Sequence, residues 1–364
     1  MNIFLLSNYS IGCVPYYVKR ALIKMGHNVS AFSPDYDQEG WKHCDVNIDV
    51  DDLVKKSSDK VDLLLFVEAS TGTKFFPTGL QYVPVPTVWW GIDNHLNYRW
   101  HKEYANLFDV ALFTQKEYLI KARKYGTKNI LWLPLACDEE IHRDRNVKRI
   151  YDVSFVGNLT QSRKKFFQSI GFPINLVSGV YLEELGLIYS QSKIVLNICA
   201  REELNMRFFE AMCAGALLVT QKIDAGVNDL FQAGKHFVFH NISDASEVIK
   251  YYLENDDERI KIAEEGKREV LARHTYIKRM EEMLFQIPSR DEIFDLRKLK
   301  FSSYKVFVQE SLVYRHRSFK LMEKSKKSMA EAFRKNRILP ILYIIRFSFY
   351  RLLERIEKLF LKNF

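Results

Sequence analysis

The chain alternates short apolar runs with amphipathic segments, and the apolar runs fall into two groups. In the first half these runs are nearly continuous, which is typical of parallel strands that are buried on both faces. A helix is predicted at residues 16–25, closing at Gly26, and another at residues 116–125. The predicted strands of this half cover residues 3–6, 29–33, 61–67, 87–91, 110–114 and 130–134.

A second group of runs follows residues 137–150, a polar segment without apolar periodicity that we interpret as a linker. Strands are predicted at 152–156, 174–177, 194–198, 216–220 and 236–239, and helices at 182–190, 205–213, 245–253 and 257–273. Strands that alternate with helices predict parallel sheets. We therefore expect an α/β protein with two Rossmann-like domains, at residues 1–136 and 151–288.

Beyond residue 288 the strands stop, and residues 289–364 are predicted to form a helical, basic extension. It carries 19 Lys/Arg against 8 Asp/Glu, which more than accounts for the net charge of +9. Its longest apolar run, residues 338–345, is shorter than the roughly 20 residues that span a bilayer. The segment 338–364 is amphipathic and basic, which favours an anionic membrane surface as its partner. Packing on the body of the protein, an oligomer contact and nucleic acid are the alternatives.

Residues 1–288 are nearly neutral, so the body of the chain is not a general polyanion binder, and we expect no nucleic-acid partner. The first residues lack the charged region and cleavage site of a secretory signal. The five cysteines are scattered, with no CxxC pair. This pattern is typical of a reducing compartment, and it predicts a cytoplasmic protein that lies peripherally at the inner face of the cell membrane.

Polar segments follow several predicted strands of the first half, namely residues 7–12, 68–72 and 93–95. In an open parallel sheet, ligands bind outside the carboxyl ends of the strands. Gly12 lies in the first of these loops, ahead of a helix whose N-terminal N–H groups point toward the same edge. A simple strand-to-helix turn is the alternative for Gly12. Together these loops predict one wall of a cleft.

The second domain contributes a basic loop, Arg163 to Lys165, after its first strand. Further along, Glu202 and Glu210 are separated by seven residues, and Arg207 lies one helical turn before Glu210. Cations at a helix N-terminus suit a phosphate or diphosphate, and a carboxylate can accept hydrogen bonds from a ribose diol. The alternatives are a solvated loop and a surface helix charge.

Three stretches resemble a known family. They are FTQKEYLIKARKYGTKNILWLPLACD, YDVSFVGN and LNMRFFEAMCAGALLVT, at residues 113–138, 151–158 and 204–220. In their order and spacing they are similar to GT-B glycosyltransferases, in particular the CgeB-like and group 1 glycosyl transferase families. The resemblance covers residues 1–285. It implies a GT-B fold and transfer of a sugar from a nucleotide-diphosphate sugar to an acceptor hydroxyl of an envelope glycan, a lipid-linked sugar or a protein.

The resemblance also implies roles for individual residues. Glu210 would bind the ribose, Glu202 the transferred sugar, and Arg163 with Lys164 the diphosphate. Gly12 would approach that diphosphate, and Asp93 or His95 would face the sugar or the acceptor. The remaining residues implied for the nucleotide-sugar site are Gly157, Asn158, Ser178, Gly179, Asn205 and Arg207.

No metal and no cofactor are expected, apart from the nucleotide sugar as co-substrate. Asp49-Val-Asp51 spells a DxD motif, but it precedes a helix in the wrong context for a metal-binding glycosyltransferase. The glycine-containing sequence usual between the two glutamates is replaced here by residues 203–209, which leaves the role of Glu202 and retention of the anomeric configuration open. A sugar-nucleotide epimerase and a non-catalytic assembly or binding protein of the same fold are the alternatives.

Overall fold

The computed structural model describes residues 1–35, 40–46, 48–69, 75–127, 129–199 and 201–289, together with 291–293, 295, 297, 322–335 and 340–341. Two parallel sheets organise it. The first has seven strands, in the order β3-β2-β1-β4-β5-β6-β7. Their bounds are β1 Asn2–Leu6, β2 Asn28–Ser33, β3 Trp41–His43, β4 Leu63–Val67, β5 Thr87–Gly91, β6 Val110–Phe113 and β7 Ile130–Trp132.

The second sheet has five parallel strands, in the order β12-β11-β10-β8-β9. Their bounds are β8 Tyr151–Val156, β9 Asn175–Val177, β10 Ser192–Asn197, β11 Leu217–Gln221 and β12 Val238–His240. Every strand predicted from an apolar run is confirmed. Only β3 is new, and it lies at an edge where Trp41 is its one buried residue.

Helices connect the strands, as parallel pairing requires. In the first domain they are α1 Val14–Lys24, α2 Val50–Lys55, α3 Asn94–Tyr104 and α4 Lys116–Tyr125, with a 3₁₀ turn at Ala105–Leu107. In the second they are α5 Gln161–Ile170, α6 Leu182–Ser190, α7 Arg207–Cys213, α8 Val227–Leu230, α9 Ala245–Glu254 and α10 Asp256–Arg273. Two more follow, α11 Tyr276–Phe285 and α12 Met322–Lys335.

Alternation along the strands builds the core on both faces of each sheet. In β1, Ile3 and Leu5 join one buried cluster, while Phe4 and Leu6 join the cluster on the opposite face. The first of these clusters continues into the second domain, where it includes Phe209 of α7. The two domains therefore share one apolar core, which fixes the loops that face each other across the cleft.

Residues that follow the second sheet return to the first domain. The Tyr276 ring of α11 stacks on Tyr17 of α1, with ring centroids 5.1 Å apart. Farther on, the buried Arg297 donates from Nε to Asp109 Oδ1 at 2.8 Å and from its terminal nitrogen to the carbonyl of Val85 at 2.7 Å. The start of the predicted basic extension is thus tied to the first sheet. The predicted membrane segment 338–364 lies outside the described residues, apart from 340–341.

Candidate functional site

A cavity of about 400 Å³ lies between the two sheets. Its walls are loops that follow strands β1, β5, β8 and β9, and the segment before α7. Ten of the residues implied by the sequence line it: Gly12, Asp93, His95, Gly157, Asn158, Arg163, Gly179, Asn205, Arg207 and Glu210. The carboxyl ends of the strands in both domains therefore converge on one space, as the topology requires.

Three implied residues lie elsewhere. The side chains of Glu202, Lys164 and Ser178 are exposed, and none of them is among the residues that line the cavity. The backbone explains the position of Glu202, because residues 201–206 are not helical and α7 begins only at Arg207. Helical spacing thus does not apply between Glu202 and Glu210, and the neighbouring Glu203 lines the cavity instead.

Arg207 joins two strand ends at the floor of the cavity. Its terminal nitrogens donate to Asn197 Oδ1 at 2.5 Å, at the end of β10, and to the carbonyl of Val156 at 2.6 Å, at the end of β8. The guanidinium lies over the Phe155 ring, 4.6 Å from its centroid. Its Nε is buried and has no hydrogen-bond partner within the described structure. These contacts hold the cation in one orientation.

Arg163 stands beside it, in the first turn of α5. Its Nε and one terminal nitrogen donate to the carbonyl of Ile198 at 3.1 and 2.6 Å, and the other donates to the carbonyl of Asn158 at 2.9 Å. Burial, together with the charge of Arg207, lowers the pKa of Arg163 below its usual value. Neither arginine makes an ion pair within the part of the chain that the structure describes. Their two positive charges therefore lie at close quarters, and the charges of Glu203 and Glu210 act on them without a direct ion pair.

Glu210 lies deeper, on α7, with 6% of its surface exposed. Burial raises its pKa to about 7, and the charge of Arg207 only partly offsets this effect. One carboxyl oxygen lies 3.6 Å from Nε2 of His142, a fully buried residue of the predicted linker. Nδ1 of that ring accepts the backbone N–H of Asp138 at 3.0 Å, so the neutral ring carries its proton on Nε2, facing Glu210.

His95 and Glu203 meet across the cleft, with His95 Nε2 2.8 Å from Glu203 Oε2. Nδ1 of His95 is buried and has no partner among the described residues. Gln115, also of the first domain, forms a pair of hydrogen bonds with the backbone of Leu204, at 3.1 and 3.2 Å. Residues 203–204 of the second domain are thus held by the first. The sequence pointed to His95 and to the adjacent Glu202 and Asn205, but it missed Glu203 and Gln115.

Gly12 lies close to the second domain. Its φ of +71° favours glycine, and a Cβ there would lie 2.9 Å from the Tyr181 ring of the second domain. Any larger residue would push that ring away or strain the turn. Gly12 also lines the cavity, so that the first loop forms part of its wall.

The DxD motif has a structural explanation. Asp49 caps α2 by accepting from the N–H groups of Asp51 and Asp52, and Asp51 forms an ion pair with Lys55 at 2.6 Å. Among the described residues, no three His, Cys, Asp or Glu side chains are grouped so as to hold a metal ion. None of the described helices is long and apolar enough to cross a membrane.

Comparison with known proteins bears on this geometry. Residues 142–285 match a family model described as glycosyl transferase-like. A search of curated proteins gave no match. Among solved structures, a glycosyltransferase from Rickettsia africae superposes with a TM-score of 0.59 at 12% identity, over 80% of this chain and 98% of its own.

Two further structures are similar to the same extent. An alpha-glucosyltransferase in complex with UDP-glucose and DNA gives a TM-score of 0.58 at 14% identity, over 80% of this chain and 99% of its own. The sucrose-phosphate synthase of Thermosynechococcus elongatus gives a TM-score of 0.58 at 12% identity, over 79% of this chain and 98% of its own. At sequence identities of 12% to 14%, this structural similarity shows the fold alone. The chain thus has the GT-B fold of glycosyltransferases, and its second domain matches the glycosyl transferase-like family.

Proposed function

We propose that the protein transfers a sugar from a nucleoside-diphosphate sugar to an acceptor hydroxyl. The observation that carries this proposal is the pair of guanidinium groups, Arg163 and Arg207, side by side in the cavity without an ion-pair partner among the described residues. Two fixed cations beside the first turn of α5 suit a diphosphate, because charge-assisted hydrogen bonds to phosphate oxygens are strong. The glycosyl transferase-like family match and the fold support the same function.

In this proposal the nucleotide lies on the second domain. Glu210, one helical turn after Arg207, would accept hydrogen bonds from the ribose hydroxyls. Gly12 would face the diphosphate from the opposite wall, where it leaves room for close approach. As the bond to the sugar breaks, negative charge develops on the diphosphate, and the two arginines would stabilise it without reorganisation.

The sugar and the acceptor would lie toward the first domain, near His95 and Asp93. Glu203 accepts from His95 Nε2, so the lone pair of Nδ1 is available to a sugar or acceptor hydroxyl. This pairing makes Glu203, rather than Glu202, our candidate for the carboxylate beside the transferred sugar. Closure of the two domains over the cavity would exclude water, so that transfer competes with hydrolysis.

Donor binding is the first test. Thermal unfolding is measured with UDP, GDP, dTDP and their sugars, since a ligand at 100 times its dissociation constant adds about 2.7 kcal/mol of stability. Arg163→Ala should abolish the shift. Lys165→Ala, an exposed cation two residues on in the same helix, is the matched control and should leave the shift intact. Equal shifts in both variants would contradict the assignment.

Turnover separates the candidate functions. Release of nucleoside diphosphate that depends on an acceptor, and that persists with a chelator, would support a transferase that needs no metal. Conversion of the nucleotide sugar without an acceptor would indicate an epimerase. Binding of nucleotide without any turnover would indicate a non-catalytic binding protein. The anomeric configuration of the product, followed by NMR, decides between retention and inversion.

We also propose that the acceptor is presented at an anionic membrane surface, through the basic segment 338–364. Its sequence supports this, since each cation near such a surface contributes about 1 kcal/mol of binding. Deletion of residues 338–364 should release the protein from vesicles that contain an anionic phospholipid at low salt. Unchanged co-sedimentation, or a change in oligomeric state instead, would favour a contact between copies.

A further inference from the structure

We propose that Glu68 is a positioning residue that sets the geometry of the His95 loop, and through it the grip of the first domain on residues 203–204. Glu68 follows β4 at the cleft edge of the first sheet, and it is 1% exposed. It does not line the cavity. The inference rests on the proposed function, because it assigns importance to the loop that carries Asp93 and His95.

Both oxygens of this carboxylate accept hydrogen bonds from the segment that bears the candidate residues. Oε2 accepts from the backbone N–H of Ile92 at 2.8 Å and, more distantly, from that of Asp93 at 3.4 Å. Oε1 accepts from the Asn97 amide at 3.1 Å and from His101 Nε2 at 3.3 Å. One buried side chain thus joins the entry of the loop to the first two turns of α3.

The directions of these bonds follow from Asn94. Its Oδ1 accepts from the N–H groups of Thr114 and Gln115 at 2.8 and 3.2 Å, so its amide nitrogen faces His101 Nδ1 at 3.0 Å. That ring nitrogen is therefore an acceptor, and the ring proton lies on Nε2, directed at Glu68. Four donors converge on Glu68, and only an acceptor-only carboxylate can receive all of them.

This network leads to the two polar contacts described above between the first domain and residues 203–204. His95 lies between the residues that Glu68 holds, and its ring contacts Glu203 at 2.8 Å. The backbone of Gln115 is fixed by Asn94, while its side chain pairs with the backbone of Leu204. A shift of the Glu68 network would therefore displace His95 and residues 203–204, which we place beside the sugar. Arg163, Arg207 and Glu210 stand on helices α5 and α7 of the other domain.

Glu68→Gln tests the idea, because the amide nitrogen of glutamine would face donors and leave at least one of them without an acceptor. We expect kcat for sugar transfer to fall by roughly 100-fold, as for an active-site misplacement of about 1 Å. The dissociation constant for the free nucleoside diphosphate should stay that of the wild type. Asn97→Ala, which removes a single donor and is the variant more certain to fold, should lower kcat by roughly 10-fold.

Asp109→Asn is the matched control for a purely structural role. Asp109 is also a buried carboxylate of the first domain that receives four donors, from Thr87 and Arg297, but it lies at the opposite edge of the sheet. The Asp109→Asn substitution should lower the free energy of unfolding and leave kcat per folded molecule unchanged. Wild-type kcat in both Glu68→Gln and Asn97→Ala would overturn the inference, and so would an equal loss of kcat in Asp109→Asn. Neither result would contradict the proposed sugar transfer. No turnover by the wild-type protein with any nucleotide sugar would overturn both.

Discussion

Glu210 allows a quantitative test, because burial raises the pKa of its carboxyl to about 7 from an ordinary value of 4.5. In the unfolded chain this group releases its proton near pH 4.5, whereas in the folded protein it keeps the proton up to about pH 7. Between these values the folded state binds more protons than the unfolded state. The free energy of unfolding therefore falls as pH rises through this window.

The size of the effect follows from the two pKa values. The difference between about 7 and 4.5, at about 1.4 kcal/mol per pH unit, gives a loss of about 3 kcal/mol above pH 7. Glu210→Gln keeps the shape of the side chain and cannot ionise. Relative to the wild type, the variant should gain about 3 kcal/mol of stability between pH 4.5 and pH 8, while its affinity for the nucleotide falls.

Urea unfolding of both proteins from pH 4.5 to 8.5 measures this difference. The two proteins are compared at each pH, because the buried His142 and His274, which both proteins contain, titrate in the opposite sense. Glu202→Gln, which removes an exposed carboxylate from the adjacent segment, is the control for the loss of one carboxylate. Stability curves that run parallel for the wild type and Glu210→Gln would refute the reasoning.

Three further predictions concern other ionisable side chains, His142, Arg207 and Arg297. Burial lowers the pKa of His142 to about 4, so His142→Gln should lose about 3 kcal/mol less stability than the wild type on acidification from pH 6.5 to 4, by urea unfolding; equal losses would contradict this. In Arg207→Lys, the single ammonium group cannot bond to both strand ends as the two terminal nitrogens of Arg207 do. Calorimetry should therefore show a nucleotide affinity lower by roughly 10-fold or more, and wild-type affinity would refute a role for this two-pronged contact. Arg297→Ala strands the buried Asp109, so thermal unfolding should show a loss of about 3–5 kcal/mol with nucleotide affinity intact; a neutral effect would disprove that anchor.

The fold could be predicted from the sequence because burial on both faces leaves a strong signal. In β4, Leu63 and Leu65 face one core cluster while Leu64 and Phe66 face the other, so the whole strand is apolar. The strand that was missed, β3, has only Trp41 buried. A three-residue edge strand with one apolar side chain has no periodicity to detect.

The location of the cleft was also predictable, since the topology of a parallel sheet places the loops after its strands together. The contacts that select individual side chains were not. Glu203 rather than Glu202 lines the cavity because His95 and Gln115 hold residues 203–204 from the other domain. Those partners are about 90 to 110 residues away in the chain, and spacing within the segment carries no information about them.

The polar linker shows how a local pattern can mislead. Residues 137–150 lack apolar periodicity, yet His142 is fully buried between Tyr17 of the first domain and Glu210 of the second. A histidine that neither domain's pattern predicts is thus placed where the two domains and the linker meet. Only the assembled core, which α11 completes by stacking Tyr276 on Tyr17, supplies its surroundings.

The same junction connects stability with the proposed function. Burial disfavours the charged forms of Glu210 and Arg163, and Arg163 also lies beside the like charge of Arg207. A core selected for stability alone would replace them with apolar or neutral side chains. These groups are complementary to a nucleoside diphosphate. Its ribose hydroxyls can donate hydrogen bonds to the carboxyl, and its phosphates carry negative charge that the arginines can bind. A nucleoside diphosphate would therefore satisfy both kinds of group, and this complementarity is the reason why we propose a binding role for them rather than a purely structural one.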